Sequence, residues 1–386
     1  METYLTSEKK EQCYGCKACE QACPNNSIEM KLDNEGFWYP NINDNTCIHC
    51  NLCIKVCPYD KQVRMDTTFD KPIVIAAINK NENERNSSSS GGIFSNLYKY
   101  IIENNGVVFG VELNKDNKVK HSIGTNKNDI ERFKGSKYVQ SDINICFSQA
   151  KHMLENGKLV LFTGTPCQIS GLYSYLNKEY ENLYTCDIVC HGTPSPKVFE
   201  DYMNYLEKKY MSKISDIKFR DKSNGWKVGT LRVNFYNNRE YKVDWTKDKY
   251  YRLFFTHRIL RPSCHNCKFS NIKREGDITL GDFWGIEDQV PHMFDNKGTS
   301  LVLLNSQKGI NLFNNIQNSI IMKECSIEQA MQPNLKEPSK PSHDRLSFFE
   351  DYNKEGFKYV LDVYTGVSFV ERLKGKIRKF SRLKIK

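Results

Sequence analysis

No apolar run in the sequence approaches the roughly 18 residues a membrane-spanning helix needs. Its hydrophobic stretches, KPIVIAAI, KLVLFTG and SLVLLN, are strand-length. There is no G-x-G-x-x-G run and no Walker A run, so a dinucleotide would have to be held in some other way. The first residues, METYLTSEKKEQ, are polar and carry no apolar core segment, unlike a secretory leader. The expected setting is the cytoplasm, at most peripheral to the inner membrane face. Nothing resembling a nucleic-acid reading module accompanies the positive charge, so no nucleic-acid partner is expected.

Cysteine is what the chain has in quantity: fifteen in 386 residues. Eight fall in two runs, CYGCKACEQACP from Cys13 and CIHCNLCIKVCP from Cys47, each reading C-x2-C-x2-C-x3-C-P. Two-residue gaps let one loop aim three sulfurs at a common centre, whereas a disulfide needs facing pairs. A disulfide knot would want a secretory leader, and zinc commonly uses paired knuckles with no third cysteine at the next interval. The repeated run is similar to that of bacterial two-cluster ferredoxins, in which the fourth cysteine of each run ligates the other 4Fe-4S cluster. That resemblance implies one cluster on Cys13, Cys16, Cys19 and Cys57 and another on Cys47, Cys50, Cys53 and Cys23. Pro24 and Pro58 lack an N–H and turn the chain away. Between the runs, alternating residues around Asp33-Asn34-Glu35-Gly36 predict a short hairpin.

Length and a 39% hydrophobic content predict a ferredoxin module plus one or two larger units. The expected segments are 1–66 (two-cluster module), 70–160 and 161–335 (two parts of an α/β body) and 336–386 (a C-terminal extension). The formal charge is +10, and residues 371–386 contribute eight basic residues against one acid. There Phe369, Leu373, Ile377, Phe380 and Lys384 fall at helical intervals, which predicts a basic amphipathic helix suited to an anionic membrane surface or a partner. A frayed, solvated terminus is the plain alternative.

In the body, IVIAAIN reads as the first buried strand. Four serines (Ser87–Ser90) and Gly91-Gly92 then precede a helical pattern from Ile93 that Gly106 ends. Serine hydroxyls and bare amides at a helix N-terminus suit a phosphate, and equally suit an ordinary capped loop. Lys134, Gly135, Ser136, Lys137, Tyr138 and Gln140 combine cations, hydroxyls and an aromatic ring. Gly164-Thr165-Pro166-Cys167 ends a strand, where ligands bind in open α/β sheets. Cys264-x2-Cys267 is a half-site for zinc, a redox pair or neither; with Cys167 and Cys190 it makes four thiolates, enough for a third cluster. His191 beside Cys190 is either a general acid or a structural histidine.

The ordered blocks SSGG, KGSKYVQS, GTPCQISGL, CHGTPSP, RPSCHNCKF and GDFWG, following the cysteine runs, resemble the coenzyme F420 hydrogenase/dehydrogenase beta-subunit family. The resemblance implies an α+β and α/β fold: a bacterial-ferredoxin-like domain, a mixed α/β flavin-binding body and a basic helical tail. It implies FAD, with Ser90, Gly91 and Gly92 at the phosphates, Lys134 to Gln140 lining the flavin, and Thr165 and Pro166 beside it. It also implies an oxidoreductase passing electrons between a ferredoxin-like or other redox partner protein and a small anionic hydride acceptor such as a deazaflavin. The alternatives are a non-catalytic relay subunit, or a membrane-surface accessory reductase in polysaccharide biosynthesis.

Overall fold

The computed structural model describes residues 3–59, 61, 64 and 67–366. The proposed basic tail helix lies outside these residues. Among them, no helix is long and apolar enough to cross a membrane.

The expected hairpin forms between the cysteine runs: β1 (Ile28–Leu32) pairs antiparallel with β2 (Trp38–Ile42). Its turn is closed by Asp33, whose Oδ1 accepts from the amides of Glu35 and Phe37 at 3.1 and 2.9 Å. Gly36, at φ 82°, supplies the left-handed residue this turn requires.

The body is built on an eight-stranded mixed sheet. In chain order its strands are β3 (Ile73–Asn79), β4 (Val107–Leu113), β5 (Val119–Gly124), β6 (Val160–Gly164), β7 (Leu183–Ile188), then β11 (Ile278–Asp282), β12 (Ser300–Leu304) and β13 (Ile320–Cys325). They lie in the order β13-β3-β12-β11-β7-β6-β4-β5. The centre, β11-β7-β6-β4, is parallel, and the flanking pairs are antiparallel. β3 is antiparallel to β12, which is antiparallel to β11, so the carboxyl ends of β3, β4, β6, β7 and β11 all point the same way. The edge strand β13 is largely exposed and carries Lys323 and Glu324, charges that discourage pairing with another chain. A separate antiparallel sheet contains β8 (Ile214–Asp221), β9 (Thr230–Phe235) and β10 (Glu240–Asp244) in the order β10-β9-β8.

The cysteine-rich segment is packed into the body rather than tethered to it. Phe37 and Tyr39 of the hairpin share one apolar cluster with the three-stranded sheet and with Phe348 and Leu361. Cys16, Ala18 and Val56 share another with Phe147, Ile169 and Leu172. Sequence patterning left residues 336–366 unplaced. They form two helices, Arg345–Glu355 and Phe357–Thr365, whose aromatic faces complete the first of these clusters. The Arg345 guanidinium donates to both Glu35 carboxylate oxygens at 3.2 and 2.5 Å and to the Leu260 carbonyl at 2.9 Å. Both residues are buried, Arg345 at 7% and Glu35 at 8% exposure. Arg345→Leu strands a buried carboxylate, so it is expected to cost about 3–5 kcal/mol in denaturant unfolding, and adding Glu35→Gln should recover part of the loss. An unchanged midpoint would show that this pair does not hold the segment in place.

Candidate redox site

Two cavities bring the eight N-terminal cysteines together in crossed sets. One is lined by Cys13, Cys16, Cys19 and Cys57 with Pro58; the other by Cys23, Cys47, Cys50 and Cys53 with Pro24. The thiols that act most on Cys19 are Cys16, Cys13 and Cys57, with Cys53 of the second set behind them. Amide hydrogen bonds aim at the sulfurs: Gly15 N–H donates to Cys13 Sγ at 3.3 Å and Ser27 N–H to Cys23 Sγ at 3.2 Å. Such bonds favour the thiolate. Among the described residues no three His, Cys, Asp or Glu side chains close on one point as a single-ion centre requires.

A third group of thiols lies at the carboxyl ends of the parallel strands. Cys167 sits in the first turn of helix Pro166–Leu176, after β6, and Cys190 follows β7. The turn Pro262–Asn266 presents Cys264, with Cys267 at its end. Burial pushes the Cys167 thiol well above its ordinary value, and the thiols of Cys267, Cys190 and Cys264 push it further. Cys190 is raised to about 12 by burial, then by Cys264 and Cys267. Thr165 Oγ1 stands 3.2 Å from Cys167 Sγ, and the Thr193 amide donates to Cys264 Sγ at 3.4 Å. The helix that carries Cys167 packs against the first outer set: a Cβ placed on its Gly171 would stand 3.0 Å from both Cβ and Sγ of Cys16.

Beside Cys190 opens a cavity of about 350 Å³, within the range of cofactor pockets. Its walls come from strand ends: Thr163 to Thr165 at the end of β6, Ile188 to Pro194 from the end of β7 onward, and Leu280 to Asp282 of β11. The opposite wall is the serine loop, Ser88 to Ser90, leading through Gly92 into helix Ile93–Glu103. Of the residues expected around a flavin, Ser90, Gly92, Lys134, Gly135, Ser136, Lys137, Tyr138 and Thr165 line this cavity.

Gly91, Gln140 and Pro166 are placed otherwise. Gly91 packs against the sheet, its amide donating to Ser300 Oγ at 3.0 Å. Gln140 turns toward the cysteine-rich segment, donating to the Tyr14 carbonyl at 3.3 Å. Pro166 is buried as the first residue of its helix. The two lysines are engaged within the wall. Lys134 meets Glu84 at 2.8 Å and Glu131 at 2.6 Å, and Lys137 donates to the carbonyls of Arg132, Phe133 and Lys134, each at 3.0 Å. Burial draws Lys137 down to about 7.

Ser88 and Ser89, of the serine run read as suited to a phosphate, also line the cavity, as do Phe254, Asp282 and Ser300, which escaped the sequence reading as site residues. Of these three, Asp282 carried a signal, inside the GDFWG block. His191 lines the wall, with Nδ1 facing Asn334 Oδ1 at 3.2 Å and its ring 5.0 Å from Phe254. Burial lowers it to about 4, so it is neutral at physiological pH. With Nδ1 donating to Asn334, its Nε2 is an acceptor, which fits a packed histidine better than a ready acid.

Crossed four-thiol sites set against an α/β cavity define an iron–sulfur electron-transfer protein of the oxidoreductase type. Residues 157–330 match the family model for the C terminus of the coenzyme F420 hydrogenase/dehydrogenase beta subunit, and residues 12–61 match the 4Fe-4S dicluster domain. The later part of the body is thus similar to the C-terminal domain of that beta subunit, and the cysteine-rich segment before it to a 4Fe-4S dicluster domain. The ferredoxin-type protein NapF of Haemophilus influenzae is 37% identical over 43 residues, 11% of this chain and 24% of that protein. A chain of the F420-reducing NiFe hydrogenase complex from Methanosarcina barkeri aligns with 75% of this chain and 91% of its own length, at 18% identity and a TM-score of 0.44.

Two outcomes test the geometry. A Cβ on Gly91 would stand 2.4 Å from the Ala77 carbonyl oxygen and 2.7 Å from the Ser300 amide nitrogen. Gly91→Ala is therefore expected to cost about 1–3 kcal/mol in thermal or denaturant unfolding; an unchanged stability would mean the loop is not clamped there. Burial also holds the free thiols of Cys16 and Cys57 up to about 12 and about 11, so they are protonated near neutrality. Metal loading must displace those protons, so iron uptake should release acid into weak buffer, and occupancy at limiting iron should rise with pH. Uptake without proton release would remove these thiols as ligands.

Proposed function

We propose that this protein is an iron–sulfur flavoprotein oxidoreductase that moves electrons between a one-electron donor protein and a small hydride acceptor. The observation that carries the reading is that Cys190 stands both in the wall of the large cavity and in the inner four-thiol group. The helix that carries Cys167 in turn packs against Cys16 of the outer set at Gly171. In this reading the thiol groups form a path from the surface to the cavity.

In this reading Cys13, Cys16, Cys19 and Cys57 hold one 4Fe-4S cluster and Cys23, Cys47, Cys50 and Cys53 a second. Cys167, Cys190, Cys264 and Cys267 hold a third. The second site lies outermost, with Cys50 exposed and Ile48 (59%) and Leu52 (38%) open beside it, an apolar rim suited to a ferredoxin-like partner.

The residues around the cavity fit FAD. Its phosphates would meet the unpaired amides of helix Ile93–Glu103, where the helix dipole favours anions. The Ser89 hydroxyl, 2.7 Å from the Ser136 amide, joins the two loops at that end. Because Lys134 and Lys137 are already engaged, these amides and hydroxyls, rather than a free cation, would do the holding. Tyr138 and Phe254, their ring centres 5.5 Å apart, contribute aromatic surface to the cavity lining. When bound, a flavin exchanges single electrons with clusters and electron pairs with a hydride carrier. The chain's own part is to exclude water, fix the ring beside Cys190 and leave the acceptor a way in. A deazaflavin is the acceptor the family resemblance favours.

Anaerobic purification with reconstitution should give a yellow-brown protein with about 12 iron atoms, the count for three cubanes, and one flavin per chain. Replacing Ser89 and Ser136 together by alanine should weaken flavin binding about tenfold, about 1.4 kcal/mol, at unchanged iron content. A reconstituted protein that binds iron but takes up no flavin would overturn the flavin part of this reading.

A further inference from the structure

Arg261 is 1% exposed, one of the largest fully buried side chains. Its guanidinium donates to the Cys13 carbonyl at 2.7 Å, to the Trp38 carbonyl at 2.8 Å and to Gln140 Oε1 at 3.2 Å. Every one of these acceptors is neutral. Among the described residues no carboxylate lies within ion-pair distance of it, unlike the buried Arg64, Arg274 and Arg345, which meet Asp277, Asp187 and Glu35. A buried cation without a counter-charge is strongly disfavoured.

Negative charge therefore has to come from something other than a side-chain carboxylate, and Arg261 stands where thiolates would supply it. The ionisable groups that act on it most are Cys13, Tyr39 and Cys264, and it acts in turn on Cys16. Cys13 belongs to the first outer thiol set and Cys264 to the inner set. The backbone ties Arg261 to the inner site, since the Cys264 amide donates to its carbonyl at 2.9 Å and its own amide donates to the Thr193 carbonyl at 3.0 Å. The side chain reaches back across Tyr39, 4.3 Å from its ring centre, to the loop of the outer site. Room is made for it there: a Cβ on Gly15, between Cys13 and Cys16, would stand 2.9 Å from Arg261 Nη1.

We propose that Arg261 is the shared counter-cation of the Cys13/Cys16/Cys19/Cys57 cluster and the inner Cys167/Cys190/Cys264/Cys267 cluster, and that it sets their reduction potentials together. The inference rests on the cluster reading given above. A cubane held by four thiolates is anionic and gains one more negative charge when it accepts an electron. A fixed cation at low dielectric therefore stabilises the reduced form and raises the midpoint. Placed between two such sites, it favours electron residence on that pair over the outermost cluster, so charge entering from the surface settles next to the cavity. Arg261 is a positioning and tuning residue that touches no substrate.

The test is a redox titration of the anaerobically reconstituted full chain, followed by electron paramagnetic resonance, on wild type, Arg261→Gln, Arg261→Lys and Gln140→Glu. Gln140→Glu is nearly isosteric and sets a carboxylate against the guanidinium, so it cancels the charge without removing the side chain. In Arg261→Gln and in Gln140→Glu, two of the one-electron steps should become about tenfold less favourable, about 59 mV lower for one electron. The third step should stay in place, and Arg261→Lys should keep most of the wild-type values. Unchanged midpoints in both charge-cancelling variants at full iron content would overturn the proposal. So would loss of iron from the same sites in both, which would leave Arg261 only a packing role. Wild-type protein with no iron signal would instead defeat the cluster reading itself.

Discussion

The arrangement depends on one close approach: helix Pro166–Leu176 lies against the Cys13–Cys19 loop with only a glycine, Gly171, between its backbone and Cys16. That helix starts at the carboxyl end of β6 with Cys167 in its first turn, so the contact that seats the cysteine-rich segment also fixes the gap between outer and inner thiols. Phe147, Ile169 and Leu172 bury Cys16 and Ala18 in the same apolar cluster. Burial of this kind is dense and poorly compressible, which holds that gap constant. A longer side chain at position 171 would push against a metal-binding loop, not merely against solvent.

The sheet supplies the second fixed frame. Asp187 of β7, fully buried, accepts from Thr279 Oγ1 of β11 at 2.6 Å, from the Gly276 amide at 3.1 Å and from Arg274 at 3.2 Å. Asp277, just before β11, is joined to Arg64, to Ser306 and to Thr185 of β7. These paired buried charges lock β7 to β11, and the loops leaving both strands carry the cavity wall and Cys190. The serine loop is fastened from behind by Lys222, which donates to the carbonyls of Arg85, Ser90 and Lys297 at 2.6, 3.1 and 2.8 Å. A helix N-terminus is thereby held open toward the cavity while the surrounding lysines are occupied.

Much of this was legible in the residues. The likeness of the repeated run to that of two-cluster ferredoxins implied crossed sets, and the two cavities are lined by the cysteines of those sets. Alternation around Asp33 to Gly36 gave the hairpin, and short apolar runs gave β3, β6 and β12. Gly91 and Gln140 were less readable, since a glycine needed for close backbone packing looks in sequence like one needed for a ligand. Gln140 faces Tyr14, more than a hundred residues away, through a contact no local pattern encodes. Residues 336–366 gave weak signals because their helices gain stability from aromatic contacts to distant elements rather than from caps or periodicity. Arg261 stood unnoticed in RILRPSC, as a single arginine carries no spacing.

Passage of electrons to the cavity through the inner thiol group is the central claim. It is tested most directly by replacing Cys167 with alanine and following bound flavin absorbance after anaerobic mixing with a reduced ferredoxin. The variant is predicted to lose about four iron atoms, to retain the two N-terminal clusters and to bleach its flavin far more slowly than wild type, while a small chemical reductant still bleaches both. Equal rates of bleaching by reduced ferredoxin would contradict it.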